Sequence, residues 1–122
     1  YGLVGSEMCI RDRHKSIVFI LKHNVDISCF AEFSPMVIQK NWEILDENSL
    51  KYQNEIIYFD YLITDQLEVG KILKLEKQDK KLITNYFLQT NSENIYAFGG
   101  ATNCLAPLSE QLLRIYEDIT TK

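Results

Sequence analysis

The residues of this chain best suited to meet a ligand closely are the pair Gly99-Gly100 and the Ala101-Thr102 that follows. They come directly after Asn94-Ile95-Tyr96-Ala97-Phe98, a run with β-strand composition. Glycine carries no Cβ, so backbone at such a strand end can be approached closely. A helix downstream adds unpaired N–H groups and the positive end of its dipole. That is binding chemistry rather than proton or group transfer. The remaining candidates offer less. His14 and His23 are not spaced for one helix face, and Cys29 and Cys104 form no CxxC pair. Read as unpaired buried thiols, the cysteines fit a reducing, intracellular compartment. Asp46, Glu47, Asp60 and Asp65 read as solvated turn residues without an acid/base partner. No GxGxxG, P-loop, GxSxG or HExxH pattern occurs, and neither a catalytic residue nor a metal ligand set is expected.

The elements that must position the glycines follow from local pattern. Residues 16–22 form a short apolar run, a buried strand or the end of a buried helix. Residues 25–30 alternate and are expected to be a strand, and Ser34-Pro35 interrupts any regular element. Residues 36–45 are expected to be extended, with a turn cluster at 46–49. Residues 50–53 and 56–63 complete a meander of short strands, the second run strongly β by composition. Residues 65–70 are expected to be a linking segment, 72–77 a strand or helical turn, and 77–81 a charged turn. Residues 81–86 and 87–90 read as extended. The last element is a helix with Pro107 at its first position. Leu108, Leu112, Ile115, Tyr116 and Ile119 make one apolar stripe along it.

Composition excludes several classes. The chain has 122 residues, 46% hydrophobic and 25% charged, which are the values of one folded domain rather than a disordered chain. Its longest apolar run, residues 17–21, is far short of the ~20 residues of a membrane helix, so no membrane span is expected. A net charge of -4 without a basic stripe makes nucleic acid an unsuitable partner. Residues 3–12 match the translation of a transposase sequencing adapter, and Arg13 is compatible with it. Residues 1–13, with Cys9, are therefore set aside as a non-native segment, and residues 14–122 are read as a single partial domain. Glu7 and Asp12 balance Arg11 and Arg13, so the net charge belongs to the remainder.

Two segments carry a resemblance. Gln89-Thr90, Asn94-Ile95-Tyr96-Ala97 and Gly99 match the "qTs.pnIyAiGD" segment near the C-terminus of FAD/NAD(P)-dependent pyridine nucleotide-disulphide oxidoreductases. Phe59-Asp60-Tyr61-Leu62-Ile63 is similar to the same family's "yDyLIiAtG" strand, which follows a small β-meander. Together they span residues 42–119. The chain departs from the family at Gly100, where the family has an acidic residue, and at Thr64-Asp65-Gln66, which replaces its "AtG". The resemblance implies an α/β fold: an incomplete FAD/NAD(P)-binding, Rossmann-like fragment with a β-meander and a C-terminal helix. It implies part of a flavin-dependent NAD(P)H oxidoreductase, with Gly99, Gly100, Ala101 and Thr102 against FAD by backbone contact. Its implied partners are a nicotinamide nucleotide and the missing N-terminal part of its own chain.

Two other readings use the same residues. Some cilium- and flagellum-associated proteins end in an oxidoreductase-like region with a degenerate flavin motif, similar in its spacing from residue 81 to Gly99. There the fold would be a non-catalytic structural or interaction module. Without any resemblance, residues 95–98 are a core strand, and Gly99-Gly100 is a loop that lets the last helix pack back.

Overall fold

A computed structural model describes residues 15–122. His14 and the adapter-like segment lie outside the described residues.

Four short strands make one parallel sheet: β1 (Ile17–Ile20), β2 (Met36–Ile38), β6 (Tyr61–Thr64) and β9 (Ile95–Ala97), in the order β2-β1-β6-β9. The run at 16–22 is thus a strand, and every residue of β1 is buried. A parallel strand covered on both faces needs apolar side chains at odd and even positions alike, which explains the unbroken hydrophobic run. Val18, Ile20, Leu62, Ile95 and Ala97 pack into one core; Ile17, Phe19, Leu21, Ile63 and Tyr96 pack into the other.

The first core is closed by an antiparallel meander of β3 (Trp42–Asp46), β4 (Ser49–Tyr52) and β5 (Glu55–Tyr58). Its register aligns Ile44, Leu50 and Ile57, with Trp42 opposite Tyr52. Gln53 and Asn54 both take positive φ in the tight turn between β4 and β5. Two left-handed residues give the turn the twist that flanking strands require. Helix α1 (Leu67–Ile72) and the hairpin β7 (Lys77–Gln78) with β8 (Lys81–Leu82) complete this layer. The second core is covered by helix α2 (Leu108–Thr120) and a 3-10 helix at Ser28–Phe33. The outer edge of β9 is taken by residues 88–90: the Ala97 N–H donates to the Leu88 carbonyl and the Thr90 N–H to the Ile95 carbonyl, both at 3.0 Å.

The α/β architecture, the meander and the terminal helix agree with the sequence reading. Several local expectations are corrected. Residues 25–30 are not a strand. The Asp26 carboxylate accepts the Ser28 N–H at 3.0 Å and starts a 3-10 helix. Phe30 and Phe33 then lie one such turn apart and both are buried. The run 56–63 is two strands in different sheets, parted at Phe59-Asp60, where the Asp60 carboxylate accepts the Ser16 N–H at 2.8 Å. Residues 65–70 are no simple link, since α1 begins at Leu67. Residues 81–90 are extended only at β8 and an isolated bridge at Gln89. Pro107 stands just before α2 rather than in its first turn, with ψ 151°. On α2 the buried face is Gln111, Leu112, Ile115 and Ile119; Leu108, expected on that stripe, is 45% exposed.

Candidate functional site

Strands in a parallel sheet end on one edge, and ligands of open α/β sheets gather outside that carboxyl edge. Here β1 runs out into Lys22-His23, β2 into Gln39-Lys40, β6 into Asp65-Gln66 and β9 towards Gly99-Gly100. These strand ends, with Leu67, Glu68 and Lys71 of α1, line a cleft of about 610 Å³ that includes Gly100.

Asp65 organises the cleft. It is only 8% exposed, which corrects its reading as a solvated turn residue. One carboxylate oxygen accepts the Lys22 N–H at 2.6 Å, and the other faces the His23 N–H at 3.4 Å. Thr64 reinforces the join. Its hydroxyl donates to the Ile20 carbonyl at 2.8 Å and accepts the Gln66 N–H at 2.9 Å. Two side chains at the end of β6 thus satisfy the backbone groups that β1 leaves free as it quits the sheet.

The four predicted ligand-facing residues separate into two pairs. Gly99 has φ +57°, the left-handed region that glycine enters without a Cβ penalty. Its N–H donates to the buried Gln111 side chain at 2.9 Å. A Cβ at Gly99 would lie 3.5 Å from Leu108 and 3.6 Å from Asp65. The chain therefore packs against the glycine from both sides. Gly100 lines the cleft, and nothing lies within 4 Å of where its Cβ would be. Its carbonyl accepts the Lys81 ammonium at 2.6 Å. Ala101 and Thr102 turn the other way. Ala101 is fully buried in the first core, and the Thr102 hydroxyl donates to the Leu82 carbonyl at 3.1 Å. The turn after β9 is a 3-10 helix at Gly99–Ala101, and α2 starts only at Leu108.

Other chemistry on the molecule is sparse. Cys29 and Cys104 are both free and half-buried rather than buried, and burial pushes the Cys29 thiol up, away from thiolate. His23 is an exposed residue of the cleft rim. The described residues hold no group of three or more side chains able to bind a metal ion, and no helix is long and apolar enough to cross a membrane. The sequence reading missed Gln111, Lys22, Lys40 and Lys71. Only Gln111 left a sequence signal, a polar residue beside Leu112 on the stripe side of an amphipathic helix.

A dinucleotide at this edge would place its diphosphate on free backbone amides. The amides at the end of β1 are taken by the Asp65 carboxylate, which also carries the wrong charge for a diphosphate neighbour. The residues at this point do not fit that group. Comparison with protein-family models and with curated proteins finds no match for this chain.

Proposed function

We propose that this chain is a non-catalytic interaction module built on an oxidoreductase-like α/β fold, of the type found in cilium- and flagellum-associated proteins. The observation that carries this reading is the Asp65 carboxylate seated on the strand-end amides, where a dinucleotide fold holds its phosphates. A fold that answers its own anion site with a side chain gains rigidity there and gives up that part of a cofactor site. Among the described residues, no cysteine lines the cleft.

A second reading is favoured by Gly100, whose open backbone faces the cleft. In it, the chain is the flavin-side segment of an FAD- and NAD(P)H-dependent oxidoreductase, completed by the N-terminal part of its own chain. When bound, the flavin would supply the hydride chemistry.

Equilibrium dialysis of the chain against FAD tests the module reading. The module reading expects no saturable binding by the chain. Stoichiometric FAD binding that is lost in Gly100→Val would overturn it, because that variant blocks close approach at a position where the fold has room for a side chain.

A further inference from the structure

The carboxyl-edge cleft carries three lysines against two carboxylates. Lys22, Lys40 and Lys71 line it from the ends of β1 and β2 and from α1. All three side chains are exposed. Among the described residues none of the three ammonium groups forms an ion pair; the two ion pairs present are Arg114–Glu110 and Lys122–Asp118. Two carboxylates share the cleft. Asp65 is buried and engaged by backbone N–H groups, which leaves Glu68 as the one exposed acid among three exposed cations. This patch sits on a chain of net charge -4. At physiological salt the field of remote charges is screened within about 8 Å, so the local excess of positive charge decides what the cleft attracts.

We infer that this cleft receives an acidic segment of a partner protein. The inference rests on the interaction-module reading above. Chemistry favours carboxylates over a nucleotide phosphate. Phosphate sites combine cations with a cradle of backbone N–H groups, and here Asp65 has taken those amides. What remains is a set of separate ammonium groups, point charges on flexible stems without the guanidinium fork. Such a set matches several carboxylates spread along an extended peptide better than one compact phosphate. Gly100, with no side chain at the rim, leaves room for the peptide backbone to cross.

The test is fluorescence anisotropy of a labelled deca-glutamate peptide titrated with the full chain in low salt. Saturable binding is expected, weakened about tenfold in the triple variant K22Q/K40Q/K71Q. It should be retained in K22R/K40R/K71R and unchanged in K51Q/K77Q/K80Q, whose lysines are exposed elsewhere. Circular dichroism melts confirm that each variant is folded. Absence of binding, or equal losses in both glutamine triples, would overturn the assignment of the cleft while leaving the module reading in place. If FAD saturates the cleft and displaces the peptide, both fall.

Discussion

The Asp65 carboxylate accepts the Lys22 backbone N–H at 2.6 Å and so ties the end of β6 to the end of β1. The two residues are 43 positions apart in the chain, and their strands are neighbours in the parallel sheet. With Thr64 beside it, this side chain holds the two strand ends together and places a carboxylate in the cleft.

Replacing that carboxylate should loosen this edge. Asp65→Asn keeps one acceptor but loses the charge, and it points an amide at the His23 N–H. The expected loss of stability is about 1–2 kcal/mol, with Asp65→Ala costing about 2–3 kcal/mol because both N–H groups lose their partner. Urea denaturation followed by tryptophan fluorescence measures both. Equal stability of all three proteins would show that water replaces the carboxylate at no cost.

The two adjacent glycines should respond differently. Gly99→Ala places a Cβ on backbone with φ +57°, at an expected cost of about 1–2 kcal/mol. Gly100→Ala meets nothing within 4 Å and should stay within about 0.5 kcal/mol of the parent. Thermal melts of the pair decide this. A larger loss at Gly100 than at Gly99 would contradict the described turn.

Gly70 is needed for packing. Alanine usually gains about 1 kcal/mol over glycine inside a helix. At Gly70 the added Cβ would sit 2.3 Å from Leu82 Cδ2, 2.9 Å from Cδ1 and 3.0 Å from Cγ. Leu82 is buried in the first core and cannot swing aside freely. The clash outweighs the propensity gain, and Gly70→Ala should destabilise by about 1–2 kcal/mol. Leu82→Ala creates the missing space, so the double variant should cost less than the sum of the two single changes.

Tyr96 gives the fold an alkaline limit. Its ring is fully buried, and its hydroxyl meets Asp118 at 2.5 Å and the Lys122 ammonium at 2.8 Å. Burial first, and then the Asp118 carboxylate that accepts its hydrogen bond, hold the phenol far above its ordinary range. The unfolded chain releases this proton first, near pH 10. The contribution is therefore complete below about pH 10 and is lost progressively as pH rises towards the folded value. Denaturation midpoints across the alkaline range should fall in the parent and fall less steeply in Tyr96→Phe. Tyr61 and Tyr116 shift in the same direction, so some slope remains. Identical slopes would remove Tyr96 from the account.

Local pattern reached far into this fold where one neighbour decides the structure. The meander was legible because its inner residues alternate and its turns carry Asn and Asp. Helix α2 was legible from Leu112, Ile115 and Ile119, which repeat at helical spacing. Failures came where a side chain overrode pattern. Asp26 turned an alternating segment into a 3-10 helix, and Asp60 split one apolar run between two sheets. Leu88, buried with φ +66°, could not have been read as left-handed, because the Asn85 carboxamide that accepts the Phe87 and Gln89 N–H groups imposes that turn.

Composition and local pattern were enough to read that apolar runs would bury into an α/β domain and that a Gly-Gly step would end its last strand. Burial and backbone freedom are properties of single residues and their near neighbours, so they can be read along the chain. Folding in three dimensions was needed to put β6 between β1 and β9, Asp65 on the Lys22 amide, Ala101 and Thr102 inward, and Lys22, Lys40 and Lys71 in one cleft. Those relationships join residues far apart in sequence. They are set by which strands pair and in what register, and no single residue or local spacing carries that information.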